Sequence, residues 1–228
     1  MQDSQIYQPD YIFVGGGPVD AEQLSYWADK GKALIAVDGG LNAIREAGLW
    51  PSYVLGDLDS AAPAHLADCR AAGIECQFHD DQNSTDLEKA LRTYPEGLIV
   101  GLGFLDGRMD HALAALHGLI KAGGVGRVLL IGASDALMVA KGPVRFNLPA
   151  GRRVSIVPLT PVAFARSAGL TWALDGLEME IGQQGGTSNA TSGGDVVIDP
   201  ANDSAGYYAL MLAASDWPAI YQALTQTD

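Results

Sequence analysis

The sequence predicts a two-part chain: an α/β domain on a largely parallel sheet, followed by a small β-sandwich. Three observations carry that prediction. Up to Ile131, short apolar runs alternate with helix-length segments that open on capping residues. From about Leu137 the helical period is lost until roughly the last dozen residues. In its place β-like runs recur, separated by Gly, Pro, Asp and Asn turns.

Tyr11 to Val14 is a short apolar run closed by Gly15-Gly16-Gly17-Pro18, and Asp20-x-x-Gln23 has the form of a capping box opening a helix. Ala33 to Val37 is the second strand, followed by Asp38-Gly39-Gly40 and a helix to about Ala47 that Gly48 stops. Tyr53 to Leu55 is the third, ending at Gly56-Asp57; Pro63 to Ala72 is a helix, and Ile74 to Phe78 is strand-like. Thr85-x-x-Glu88 is a second capping box, with Thr85 as the cap and Glu88 supplying the return bond. Leu98 to Leu102 (strand), Met109 to Lys121 (helix) and Val128 to Ile131 (strand) complete the alternation. Such an alternation predicts a Rossmann-like domain with helices on both faces of the sheet. Beyond it, β-like runs fall at Val144–Asn147, Val154–Val157, Val162–Ala165, Thr171–Leu174, Glu178–Ile181, Val196–Ile198 and Tyr207–Leu212. The expected domains are therefore residues 1–140 and 141–228.

With 228 residues and 48% apolar content, the chain can build real cores. No apolar run is long enough to span a membrane, and Met1 to Asp10 lacks the form of a secretory signal, so a cytoplasmic protein is expected. The net charge of −13 argues against nucleic acid as a partner. It leaves room for an ATP enzyme, because a metal can bridge an acidic site to phosphates. Cys69 and Cys76, the two cysteines, form no CxxC pair and read as idle thiols.

The residues able to carry chemistry follow strands or open helices, where parallel sheets place their ligand crevices. In Gly56-Asp57-Leu58-Asp59-Ser60, alternate positions of an extended segment would aim Asp57 and Asp59 at one point, as a hard cation such as Mg²⁺ requires. A polar turn capping the next helix is the competing reading of that motif alone. Asp86 opens the helix capped by Thr85 and adds a third carboxylate in the same kind of position. Gly101-Leu102-Gly103-Phe104-Leu105-Asp106-Gly107-Arg108-Met109-Asp110-His111 puts glycines between a strand and a helix, a plausible phosphate cradle, with Arg108 able to pair with phosphate oxygens. Asp110 suits a metal or a helix cap, and His111 a packed or hydrogen-bonding role. The pattern contains no P-loop, no dinucleotide fingerprint and no nucleophile elbow.

Together these motifs resemble the thiamine pyrophosphokinase family. The resemblance rests on Asp38-Gly39-Gly40, Gly56-Asp57-Leu58-Asp59-Ser60, Thr85-Asp86-Leu87-Glu88-Lys89-Ala90 and Gly107-Arg108-Met109-Asp110-His111. Gly169-Leu170-Thr171-Trp172-Ala173-Leu174 and Thr187-Ser188-Asn189 extend it through the second domain. It implies a homodimer with each active site between subunits, ATP-Mg²⁺ on the α/β domain and thiamine against the partner's sandwich. By motif, Asp57, Asp59 and Asp86 would hold the metal, with Arg108 and Asp110 completing the phosphate end. Asp38, Gly39, Gln82, Thr85 and Gly107 would join Arg108 around ATP, and Trp172, Ser188 and Asn189 would bind thiamine. Asp106 stands where many members carry Gly, and Thr171 where Lys is common beside the tryptophan.

The implied reaction is pyrophosphoryl transfer from ATP to thiamine. A hydroxymethylpterin acceptor is the nearest rival, disfavoured by Trp172 and Ser188-Asn189. A non-catalytic thiamine or nucleotide sensor is the rival of another class, disfavoured because every metal-site carboxylate is present.

Overall fold

The computed structural model describes residues 7–79, 81, 83–201 and 206–226, so Gln82 lies outside the described residues. The chain divides into two compact units: residues 1–123 with 130–133, and residues 124–129 with 134–228.

In the first unit, β1 (Tyr11–Val14), α1 (Ala21–Ala28), β2 (Ala33–Val37), α2 (Gly40–Glu46), β3 (Tyr53–Gly56), α3 (Pro63–Ala71), β4 (Cys76–Phe78), α4 (Asp86–Thr93), β5 (Ile99–Leu102) and α5 (Met109–Lys121) alternate as expected. β6 (Val128–Ile131) follows. The strands order as β6-β5-β1-β2-β3-β4, and the pairs from β5 to β4 are all parallel. β5 and β6 are buried throughout and β1 and β2 nearly so, because strands covered on both faces carry continuous apolar runs rather than alternating ones. The chain steps from β1 out to β4, then returns to lay β5 on the other edge of β1. The connection after β1 therefore leads toward β2 and that after β5 toward β6, and the switch point between them lies at the carboxyl ends where the order reverses.

Two caps form as the sequence predicts: Asp20 accepts from the Gln23 N–H at 2.8 Å and Thr85 from the Glu88 N–H at 3.3 Å. Glu88 does not reach back to close its capping box. It is buried, and its carboxylate pairs with Lys121 of α5 at 2.9 Å and Arg92 at 3.2 Å. Those partners compensate a charge that burial would otherwise make costly, and they tie α4 to α5.

The second unit comprises β7 (Asp135–Ala140), β8 (Val144–Leu148), β9 (Arg153–Pro158), β10 (Val162–Ala168), β11 (Glu178–Met179), β12 (Gly186–Ala190), β13 (Gly194–Pro200) and β14 (Tyr208–Ala213). A 3-10 turn at Ala214–Asp216 leads into α6 (Trp217–Thr225). Within this unit the strands run β12-β9-β14-β7 in one antiparallel set and β11-β10-β13-β8 in the other. Phe164 of β10 and Tyr208 of β14 meet edge to face between the two sets at 5.4 Å, as the inner faces of a sandwich do. α6 lies against β7 and β8.

Three local differences from the sequence reading have physical causes. β7 was not anticipated. It pairs with β14 over six residues, which draws everything from Ser134 into the second unit, ahead of the division expected after residue 140. β12, whose Gly186 and Asn189 disfavour a strand, is held by its pairing with β9. Thr171–Leu174 is not a strand, because its backbone is bonded largely by side chains.

Candidate active site

The carboxyl ends of the parallel strands converge on a cleft of about 560 Å³. β2 delivers Asp38 to it in a left-handed conformation (φ 48°), with the Asp38 N–H donating to Leu55 O at 2.8 Å. A non-glycine residue held there is strained, a common signature of a working site. β3 ends on Gly56 (φ 143°), where an added Cβ would stand 3.0 Å from Asp38 Cβ. Glycine at 56 thus lets Asp38 approach the following Asp57. Asp86, at the first position of α4, completes a group: one oxygen each from Asp38, Asp57 and Asp86 lie within 4.8 Å of one another.

The group fits a hard cation. Asp38 Oδ1 is buried and has no hydrogen-bond partner among the described residues. Burial, together with the charges of Asp86 and Asp57, pushes the Asp38 carboxyl above the usual carboxylate range. The Gly39 backbone and the Ser60 hydroxyl oppose that shift. A cation would relieve both the repulsion and the missing partner. Lys89, a buried cation passed over in the sequence, donates to Asp86 Oδ1 at 3.0 Å and to His79 O at 3.2 Å. Its one-turn spacing from Asp86 is the signal the sequence offers.

Asp59 is not part of this group. Leu58 adopts a left-handed conformation (φ 62°), so the alternation of an extended segment does not hold across it. Asp59 is exposed and accepts from the Ser60 hydroxyl at 2.9 Å. Asp38, assigned to ATP by motif, stands instead with Asp57 and Asp86.

Two glycine loops also line the cleft. Gly17 N–H donates to Gly103 O at 3.0 Å, and a Cβ on Gly17 would lie 2.7 Å from that oxygen, so the loops after β1 and β5 meet only because glycine is there. The Gly15–Pro18 loop lines the cleft, although its sequence reads only as a strand end. Thr85, Gly107, Arg108 and Asp110 also line it. Gly39, which precedes α2, borders an adjoining cleft. Arg108 is exposed and grips Asp110 by Nε at 3.1 Å and Nη2 at 2.6 Å. Solvent screens such a pair, so an incoming phosphate can compete for the guanidinium. Asp106, which stands where many family members carry Gly, accepts from the Ala133 N–H at 2.8 Å and so braces its loop.

In the second unit, Trp172 is 62% exposed and Ser188 is exposed in a left-handed conformation (φ 60°). Asn189 differs: it is buried, and its amide is bonded to the backbone of Trp172.

A parallel α/β unit with clustered carboxylates and glycine loops at its switch point defines a phosphate-handling enzyme class. The model of the thiamin pyrophosphokinase catalytic domain matches residues 24–127, and that of the thiamin pyrophosphokinase vitamin B1 binding domain matches residues 143–203. The chain belongs to the thiamin pyrophosphokinase family. It is 28% identical to thiamin pyrophosphokinase 1 of Caenorhabditis elegans over 208 residues, spanning 82% of this chain and 83% of that protein. Among solved structures it resembles thiamin pyrophosphokinase from Candida albicans (TM-score 0.77, 17% identity, 90% of this chain and 89% of the other). It also resembles the enzyme from Geobacillus thermodenitrificans (TM-score 0.74, 21% identity, 89% of this chain and 96% of the other).

Proposed function

We propose that the protein transfers the pyrophosphoryl group of ATP to the hydroxyl of thiamine, giving thiamine diphosphate and AMP. The observation that carries this reading is the convergence of Asp38, Asp57 and Asp86 beside two glycine loops, in a chain that carries both domains of the family. Asp38, Asp57 and Asp86 would hold Mg²⁺, which when bound neutralises triphosphate charge. Asp59, exposed on the same loop, is a fourth acidic candidate on the solvent side.

The thiamine oxygen attacks the β-phosphorus in line, the bond to the α-phosphate oxygen breaks, AMP leaves with the bridging oxygen, and the hydroxyl proton passes to a carboxylate of the site and from there to water. The protein forms no covalent bond, so its work is positioning and charge stabilisation. The start of α5, which opens at Met109 beside Gly107 and Arg108, would meet the phosphates. Arg108 exchanges Asp110 for phosphate oxygens as charge builds, and Asp110 keeps the guanidinium aimed until then. Gly39, Gln82, Thr85 and Gly107 complete the nucleotide side. Trp172 offers an aromatic face to the cationic, aromatic substrate, with Ser188 beside it.

The purified protein incubated with ATP, Mg²⁺ and thiamine should form AMP and thiamine diphosphate in equal amounts. AMP formation that ignores thiamine, or that requires a hydroxymethylpterin instead, would contradict the reading. We further infer a cytoplasmic homodimer whose active sites lie between subunits; the family resemblance and the demand for ATP support it. A fully active, concentration-independent monomer in sedimentation would refute the dimer.

A further inference from the structure

We propose that Asn189 is a positioning residue for Trp172 and acts on thiamine only through that indole. The proposal rests on the reading that Trp172 stacks on thiamine. Its observation is a closed set of bonds. The Trp172 N–H donates to Asn189 Oδ1 at 3.1 Å, and Asn189 Nδ2 donates to Trp172 O at 2.7 Å. The Ala190 N–H also donates to Asn189 Oδ1, at 2.8 Å. Two N–H groups meeting one oxygen, with the amide nitrogen on a carbonyl, leave one sensible orientation for the amide.

The side chain stands in for a strand. Thr171 N–H still finds a ladder partner in Ala190 O at 2.7 Å, but the next residue has none, and the Asn189 amide satisfies both of its peptide groups. A bulge in β12 makes this possible. Gly186 pairs with Ile156 and Asn189 with Val154, so three steps on β12 oppose two on β9. The extra residue and the left-handed Ser188, whose N–H donates to Ser155 Oγ at 3.0 Å, turn Asn189 inward while Ser188 stays exposed.

The consequence is a division of labour. Asn189 is 5% exposed and its oxygen already takes two donors, so little of it can meet a substrate. Trp172 is 62% exposed, so its indole lacks a packed surround to aim it. Fixing its backbone on both sides lowers the ordering cost of stacking a ring there.

A double-mutant cycle tests this, using the full-length protein. Asn189→Ala should raise KM for thiamine by about five- to tenfold, the loss expected when two hydrogen bonds no longer hold an aromatic anchor. KM for ATP should stay within about twofold, the scatter of uncoupled sites. In a Trp172→Ala background the same change should add nothing further. An equal additional rise there would overturn the proposal in favour of direct contact. So would an unchanged KM for thiamine in Asn189→Ala when Trp172→Ala raises it. If Asn189→Ala does not fold, Asn189→Asp takes its place, keeping both acceptor bonds and losing the donor to Trp172 O. Fluorine NMR of 5-fluorotryptophan-labelled protein, with the Trp172 line identified by Trp172→Phe, separates the two readings. If Trp172→Ala leaves KM for thiamine unchanged, the stacking reading fails. The Trp172 line then decides alone: a shift in the Asn189 variant upholds the positioning role, and an unmoved line overturns it.

Discussion

Asp38 shows at the scale of one residue how stability is set against function. Its folded carboxyl binds protons more tightly than an unfolded one, so at neutral pH its charge costs the fold stability. That cost is fully present above its folded pKa and disappears as pH falls below the unfolded value of 3.8. In metal-free protein Asp38→Asn should therefore hold or raise the melting temperature, and with Mg²⁺ present it should lower turnover by about 10²-fold or more, the scale of losing one preorganised charge contact. Asp57→Asn and Asp86→Asn should lower turnover comparably, and all three should weaken Mn²⁺ binding measured by electron paramagnetic resonance. Near-normal activity in two of the three would remove the shared site. The sequence made Asp57, Asp86, Arg108 and the Thr85 cap legible, because each has a local signature. It did not make legible that Asp38 joins Asp57 while Asp59 turns away. That depends on two left-handed residues, Asp38 and Leu58, which no composition rule places. The commitment of Asn189 to the Trp172 backbone was equally hidden, since a hydrogen-bond partner seventeen residues away leaves no periodic trace.

Strands and helices of the first unit were legible almost throughout, because a strand buried on both faces writes an apolar run and a capped helix writes its first turn. The second unit was less so: Gly132-Ala133-Ser134 separates β6 from β7 too briefly to break the pattern, and β12 is polar. Between elements, one contact braces a loop of the cleft. Asp106 holds the loop after β5 to the Ala133 backbone, and Gly132 permits it, since a Cβ there would lie 2.7 Å from Asp106 Oδ2. Asp106→Ala should loosen the loop that presents Gly107 and Arg108. KM for ATP should rise about fivefold, as for one net hydrogen bond of about 1 kcal/mol, with KM for thiamine little changed. An unchanged KM for ATP would show that the loop keeps its shape without the brace.

For the whole molecule, the acidic balance of −13 is compatible with a phosphate enzyme, because Asp38, Asp57 and Asp86 gather where a metal can bridge them to phosphates. The two units carry separate chemistry: acid, arginine and glycine loops in the first, an exposed aromatic and uncharged polar groups in the second. That separation was visible in the sequence as a change of motif type along the chain, and it is what a substrate with an anionic donor and a cationic ring acceptor requires. The reaction that joins the two ends is pyrophosphoryl transfer, and the fate of the β-phosphorus tests it most directly. With ATP labelled at the β-phosphate, all of the label should move into thiamine diphosphate while unlabelled AMP accumulates. Label retained in ADP, with thiamine monophosphate as the other product, would contradict attack at the β-phosphorus.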